Sequence, residues 1–123
     1  PEGGRVLLAR AEVARTELPD ALRAMGWEVH DVAAYRTAPA AVADDVAERI
    51  AAADAVTFTS SSTVTNLVAA VGADRVPPVV ASIGPVTTAT ARKLGLEVTV
   101  EATPHTTEAL LAALVEALPP AVP

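Results

Sequence analysis

Two short hydroxyl-rich segments carry the residues of this chain that could do chemistry. Seven of the nine residues from Thr57 to Thr65 bear a hydroxyl group, and the segment Gly84-Pro85-Val86-Thr87-Thr88 repeats the design. Each segment follows an apolar, strand-like run and precedes a helical pattern. Its hydroxyls should therefore lie beside unpaired backbone N–H groups and the positive end of a helix dipole. Such a site binds anions without a lysine, and from Ala55 to Ala91 the only charged residues are Asp74 and Arg75.

Strand and helix patterns alternate five times along the chain. Apolar runs predict strands at residues 5–9, 27–35, 55–59, 79–83 and 97–101. Helical spacing predicts five helices: from a Thr16 cap to Gly26, around Val42, Val46 and Ile50, from about Ser62 to Val71, from the second hydroxyl segment to Leu94, and from a Thr106 or Thr107 cap to Leu118.

This alternation predicts an α/β fold with one parallel five-stranded sheet, covered by helices on both faces. The expected strand order is the flavodoxin-like 2-1-3-4-5. Ligands of such sheets bind at the carboxyl ends of the strands, near the point where the strand order reverses. The two hydroxyl-rich segments follow strands three and four, so we expect both at that edge.

Composition excludes several classes of partner and chemistry. The net charge is −6, so a nucleic-acid partner is not expected, because that requires clustered Lys and Arg. The chain has no Cys and hence no thiolate chemistry. The longest uncharged run, residues 55–73, contains eight Ser, Thr or Asn residues and does not fit a membrane span. Because the first residue is Pro1 rather than Met, we interpret the chain as a piece of a longer protein.

Simpler interpretations remain open for these residues. Ser and Thr before a helix often serve only as caps. A nucleophilic serine within residues 60–62 would lack both the G-x-S-x-G setting and an evident histidine base. His30 and His105 have no partner at metal-ligand spacing, so a solvated role is favoured for each. The arginines Arg10, Arg15 and Arg36 are either surface charge or a frame for an anionic ligand.

The order and spacing of several motifs resemble the C-terminal half of uroporphyrinogen-III synthase. The resemblance covers nearly the whole chain. The matching pieces are Val6-Leu7-Leu8-Ala9-Arg10, Leu18-Pro19 and Leu22 before Gly26, Val32 to Tyr35-Arg36-Thr37, Thr57-Phe58-Thr59-Ser60-Ser61-Ser62, Ile83-Gly84-Pro85-Val86-Thr87, and Thr106 with Glu108-Ala109-Leu110.

The resemblance implies a cytoplasmic lyase of tetrapyrrole and heme biosynthesis. Its substrate would be the linear tetrapyrrole hydroxymethylbilane, which it closes into uroporphyrinogen III with inversion of the terminal ring and loss of water. It would need no cofactor and no metal, and it would work as a monomer of two α/β lobes with the site between them. The alternative from another class is a non-catalytic flavodoxin-like module that binds a small anion or a protein partner.

The resemblance also assigns roles to individual residues. Tyr35 matches the family's functional tyrosine and is the expected catalytic residue, and Thr87 matches the threonine of a G-P-x-T motif. The residues expected to bind substrate are Thr59, Ser60, Ser61, Ser62, Gly84 and Thr87.

The family's chain crosses between its lobes, which bears on how this chain folds. We expect residues 1–123 to form one α/β unit the size of a single lobe. Residues 1 to about 36 would pair with the other lobe in the full-length protein, through a hinge at residues 36–40. The chain alone would be a closed monomer or a swapped dimer, and we expect activity to depend on the partner lobe.

Overall fold

A computed structural model describes residues 3–120 of the chain. The chain divides into two compact units, Pro1–Ala38 and Pro39–Pro123. We call them the N-terminal unit and the C-terminal unit, and each is described by itself.

The N-terminal unit is a pair of parallel strands with one helix. Strand β1 (Arg5–Ala11) pairs with β2 (Glu28–Tyr35), and helix α1 (Glu17–Ala24) connects them. The chain leaves α1 through Gly26, whose φ of +85° lies in the left-handed region that glycine favours. Pro19 is the one buried residue in the described part of this unit.

The C-terminal unit is a three-stranded parallel sheet in the order β3-β4-β5. Its strands and helices are α2 (Asp44–Ala51), β3 (Ala55–Phe58), α3 (Ser61–Val71), β4 (Val79–Ser82), α4 (Pro85–Lys93), β5 (Val100–Glu101) and α5 (Thr107–Ala117), with a 3₁₀ turn at Ala73–Arg75.

Helices cover both faces of this second sheet. On one face Val80 of β4 packs in a cluster with Val64 of α3 and Ala91 of α4. On the other face the next residue, Ala81, packs against Leu110 of α5. Neighbouring residues of β4 therefore face opposite hydrophobic cores, as the continuous apolar run of a doubly covered parallel strand predicts.

The predicted α/β class is confirmed, but the observed strands form two sheets. The neighbour pairs 2-1, 3-4 and 4-5 are present, whereas β1 and β3 do not pair, so the single order 2-1-3-4-5 is not observed. Between β2 and α2, residues 36–43 form neither helix nor strand, and the two units divide within this segment. The alternation of strands and helices says how many strands form but not which sheet each one joins.

Two predicted boundaries also differ. Helix α2 begins at Asp44, so Val42 lies before it. Strand β5 has two residues rather than five. Just before it, the Val80 amide donates to the side-chain oxygen of Thr99, at 3.0 Å, and this bond takes the place of a regular ladder bond. None of the helices formed by residues 3–120 has the length and apolar character that a membrane crossing requires.

Candidate functional site

The carboxyl ends of β3, β4 and β5 lie level with one another. Pairing places Phe58, Ser82 and Glu101 side by side across the sheet. We call this end of the sheet, with the loops that follow it and the first turns of α3, α4 and α5, the carboxyl edge. It carries all six residues expected to bind substrate, whereas Tyr35 lies in the N-terminal unit.

Ser60 has a structural role at the start of α3. It is the N-cap residue, and its side-chain oxygen accepts from the Thr63 amide at 3.3 Å. The Thr63 hydroxyl in turn donates to the Ser60 carbonyl at 2.7 Å. Ser62, whose Oγ lies 3.2 Å from that of Ser60, is exposed, as is Thr59. The serine motif thus combines a cap with hydroxyls that remain open to solvent.

The first turns of α3 and α4 are in contact. The Ser61 hydroxyl donates to the Val86 carbonyl at 3.3 Å, which joins the two hydroxyl-rich segments directly. Neither helix has an acidic residue in its first turn.

The helices elsewhere in the chain are built differently. Helix α1 carries Glu17 and Asp20 in its first turn, and α2 carries Asp44 and Asp45. Those carboxylates offset the positive end of each helix dipole. The first turns of α3 and α4 carry no such residue of their own, although the Glu101 carboxylate accepts from Thr88 near the start of α4. The positive end of α3 therefore remains available to an anion from outside the chain.

Thr87 and Thr88, adjacent in α4, are both buried but are used differently. Thr87 is 5% exposed, yet no hydrogen bond joins its hydroxyl to another described residue. No buried side-chain N or O atom among the described residues lacks a partner, so the Thr87 hydroxyl is not sealed from solvent. The Thr87 hydroxyl therefore keeps a small contact with solvent and has no partner among the described residues.

The Thr88 hydroxyl belongs to an internal network instead. It lies 3.0 Å from the Ser82 hydroxyl and donates to the Glu101 carboxylate. Ser82 Oγ donates to the Gly84 carbonyl at 3.0 Å and accepts from the Gly84 amide at 3.3 Å. This network holds the turn between β4 and α4 and so fixes the position of the α4 N-terminus.

Gly84 matters for the space it leaves rather than for its backbone conformation. Its φ of 175° is ordinary extended backbone, but a Cβ there would lie 3.1 Å from both Cγ and Nδ1 of His105. The imidazole of His105 thus packs directly on the N-cap residue of α4. Thr106, the next residue, caps α5 by accepting from the Ala109 amide at 3.2 Å.

An apolar groove lies between β3 and α5. Its volume is about 410 Å³, and its lining residues are Thr57, Thr59, Thr107, Glu108, Leu110, Leu111 and Leu114. Thr59 therefore faces this groove, at one side of the carboxyl edge.

Tyr35 ends β2, as predicted, and its side chain is 62% exposed. Its backbone carbonyl accepts from the Glu12 amide at 2.8 Å, so the end of β2 is held in place while the phenol remains in solvent. With Glu12 and Arg36 it lines a shallow cavity of about 270 Å³ within the N-terminal unit.

Arg10 is not free to frame a ligand. Its guanidinium donates two hydrogen bonds to the Asp31 carboxylate across the β1–β2 pair, and a third to the Arg15 carbonyl. The hydrogen bond and the opposite charge lower the pKa of Asp31 below its ordinary value and raise that of Arg10. Among residues 3–120, no group of three His, Asp or Glu side chains is arranged to hold a metal ion.

Comparison with known proteins identifies the family. The family model described as "Uroporphyrinogen-III synthase HemD" matches residues 1–112.

The chain belongs to the uroporphyrinogen-III synthase family.

Individual relatives agree with this assignment. Uroporphyrinogen-III synthase from Synechococcus elongatus is 37% identical over 124 residues, which cover 91% of this chain and 47% of the relative. The fold is similar to that of uroporphyrinogen-III synthetase from Helicobacter pylori, with a TM-score of 0.75 and 17% identity over 91% of this chain and 53% of that one. This family member therefore spans about half the length of the relatives that it matches.

The sequence analysis did not include three residues of the carboxyl edge among the candidate site residues: Ser82, Glu101 and His105. Ser82 and Glu101 are the last residues of β4 and β5. Their strand-end positions were a usable signal, because the hydroxyl segments were found by that same criterion. The contact between His105 and Gly84 had no such signal, because it joins two loops that are 21 positions apart in the sequence.

Proposed function

We propose that this chain is the C-terminal half of a cytoplasmic uroporphyrinogen-III synthase, a lyase of heme biosynthesis. The two-lobed enzyme that contains it would close hydroxymethylbilane into uroporphyrinogen III, with inversion of the terminal ring and loss of water. The observation that carries this proposal is the family match over residues 1–112. The two helix starts at the carboxyl edge, which carry no acidic residue of their own, suit a substrate that bears many carboxylates.

In this proposal the carboxyl edge binds substrate carboxylates. Thr59, Ser62 and Thr87 would donate hydroxyl hydrogen bonds, while Ser60, Ser61 and Gly84 would hold the starts of α3 and α4 so that their amides face the ligand. The absence of acidic first-turn residues in both helices supports this role. So does the unengaged Thr87 hydroxyl.

Tyr35 is the proposed catalytic acid. Its phenol would protonate the hydroxyl that leaves the hydroxymethyl group, so that the carbon–oxygen bond breaks and water departs. The adjacent pyrrole nitrogen supplies the electron pair, which leaves an azafulvene-type cation. General acid catalysis by a well-placed group contributes about 10²-fold or more to the rate. The exposed phenol at a fixed strand end fits this task, because nothing within its own unit has to move before a substrate reaches it.

Binding of the ring positions decides which product forms. Holding the reacting ring carbon close to the cation removes most of the entropy cost of bringing the two carbons together. This lowers the activation barrier for carbon–carbon bond formation by several kcal/mol. Exclusion of water would protect the cation until the new carbon–carbon bond has formed. Neither step calls on a cofactor.

We also propose that the chain is divided between the two lobes of that enzyme. Residues 1 to about 36 would join the sheet of one lobe and the remainder that of the other, with residues 36–40 as the hinge. The division of the chain between residues 38 and 39 supports this. So do β1 and β3, each of which has a strand partner on only one side among residues 3–120. In the two-lobed enzyme, a strand from the other half of the protein beside β1, and another beside β3, would complete the order 2-1-3-4-5 in each lobe.

The decisive experiment is turnover by the two-lobed enzyme. Purified protein is given hydroxymethylbilane, and the product isomers are separated by chromatography after oxidation. We expect uroporphyrinogen III as the main product, and little or none from the 123-residue chain alone. Isomer I alone, as forms without an enzyme, would contradict the proposed function.

A further inference from the structure

His105 is the one side chain in the loops of the carboxyl edge that can become a cation. The loops that follow β3, β4 and β5 cover residues 59–60, 83–84 and 102–106, and His105 is their only titratable residue. The first turns of α3 and α4 contain no cationic side chain, so only their backbone dipoles favour an anion there. A positive side chain on the same edge would add a charge-assisted hydrogen bond, which is stronger than a neutral one.

The position of the imidazole is fixed on two sides. Its ring packs against Gly84, where a Cβ would lie 3.1 Å from Cγ and Nδ1. Nδ1 also lies 3.0 Å from the Ala102 carbonyl oxygen. A carbonyl oxygen only accepts, so Nδ1 carries the proton and donates it. The contact with Gly84 therefore holds the ring beside the N-terminus of α4.

This hydrogen bond determines what the second ring nitrogen can do. With the proton on Nδ1, a neutral ring presents Nε2 as an acceptor, which cannot bind a carboxylate. Protonation turns Nε2 into a charged donor. The same side chain therefore favours an anion in one protonation state only.

The neighbouring charges leave this role to His105. On the elements that adjoin it, the titratable residues at the carboxyl edge are Glu101, at the end of β5, and Glu108, in the first turn of α5. Arg92 and Lys93 of α4 and Glu116 of α5 lie at the opposite ends of their helices. The Glu101 carboxylate accepts from Thr88, and Glu108 lines the groove between β3 and α5. Both are negative, so among these groups only a protonated His105 can attract a carboxylate ligand.

We propose that His105 binds a carboxylate of the tetrapyrrole through Nε2–H and makes binding at the carboxyl edge stronger as pH falls. This inference rests on the proposed function and deepens it, because it assigns a ligand-contacting residue outside the hydroxyl-rich segments. The sign follows from the chemistry. Histidine gains its charge between about pH 8 and pH 5, whereas carboxylates with ordinary pKa values near 4 remain ionised above about pH 6.

The test is uroporphyrin III binding to the two-lobed enzyme, measured by fluorescence at about pH 8 and about pH 6. Uroporphyrin III is the stable oxidised form of the proposed product. We expect wild-type affinity to rise about threefold over this range, the size of an exposed ion pair, and His105→Gln to abolish that rise. The matched control is His30→Gln. His30, the other histidine of this chain, lies on β2 and pairs with Glu28 at 2.9 Å, so its loss should leave the rise unchanged.

A second measurement covers the case in which His105→Gln does not fold. In the wild-type enzyme the Nε2 resonance of His105 should shift when uroporphyrin III is added at about pH 6, whereas that of His30 should not. Affinity without pH dependence, a rise that persists in folded His105→Gln, or an unmoved His105 resonance would overturn the inference and leave the proposed function intact. Absence of uroporphyrin binding at any pH would overturn both.

Discussion

At the scale of single residues, Thr87 and Thr88 allow ligand binding to be separated from stability. Thr87→Val should lower the stability of the fold by less than about 0.5 kcal/mol, because its hydroxyl bonds to no described residue. It should weaken uroporphyrin binding, since a ligand carboxylate would lose a donor. Thr88→Val should instead cost about 1–3 kcal/mol, because the change removes a buried hydroxyl that donates to the Glu101 carboxylate and lies 3.0 Å from the Ser82 hydroxyl.

Thermal melts and uroporphyrin titrations of both variants check this pair. If Thr87→Val melts early and binds normally, the residue supports only the start of α4. If both variants bind equally well, the carboxyl edge is not where the ligand lies.

Tyr35 gives a prediction about chemistry rather than binding. In the two-lobed enzyme, Tyr35→Phe should lower turnover by about 10²-fold, because the leaving hydroxyl loses its proton donor. Stability should hardly change, since the side chain is 62% exposed. The measurement is the rate of uroporphyrinogen III formation alongside a melt. Normal turnover by a well-folded variant would remove Tyr35 from the mechanism.

At the scale of helices and strands, sequence patterns found nearly everything that depends on local chemistry. Among residues 3–120, five strands and five α-helices lie close to their predicted positions, apart from the later start of α2 and the shorter β5. The cap of α5 is Thr106, one of the two residues predicted for it. The join between β1 and β3 was predicted and is absent, because strand pairing depends on which edges the whole molecule leaves free. Contacts between loops were out of reach for a similar reason. Nothing local to Gly84 says that His105 will cover it.

The β1–β2 pair contains an ion pair whose effect on pKa can be measured. Arg10 hydrogen-bonds the Asp31 carboxylate and lowers its pKa. A lowered pKa in the folded state means that the pair stabilises the fold above the ordinary Asp value of about 3.9, and that this contribution is lost as pH falls through the folded value. In an NMR titration, Asp31 should ionise below the ordinary value, and Arg10→Gln should return it there.

Arg5→Gln is the matched control, because Arg5 lies on the same strand but not beside Asp31. It should leave the Asp31 titration almost unchanged. An Asp31 pKa at the ordinary value in the wild-type chain would show that the ion pair does not persist in solution.

At the scale of the whole molecule, the two units differ in how many of their apolar side chains are buried. Among residues 3–38 only Pro19 is buried, and apolar side chains such as Leu7 (67%) and Val32 (47%) are exposed on the two strands. Two strands alone are marginally stable in water. The C-terminal unit has clusters of buried side chains on both faces of its sheet. The N-terminal unit is therefore the part of the chain with most to gain from a further strand.

That difference leads to a prediction about association. Pairing of β1 with β3 would join the two sheets in the order 2-1-3-4-5, whether the two strands belong to one copy or to two. Both arrangements form the same strand contacts, so concentration and the strain in residues 36–40 decide between them. Pro39 favours an extended backbone in the residue before it, which suits a chain that reaches out to a second copy.

For the 123-residue chain we expect a monomer at low concentration and a growing dimer fraction at high concentration, measured by size-exclusion chromatography with light scattering. Replacing Pro39 in the hinge by Gly should lower that fraction, because the residue before it is then no longer held extended, whereas Pro77→Gly, outside the hinge, should not. A dimer that persists at the lowest measurable concentration would contradict the monomer, and a dimer fraction insensitive to Pro39→Gly would show that the hinge does not control the exchange.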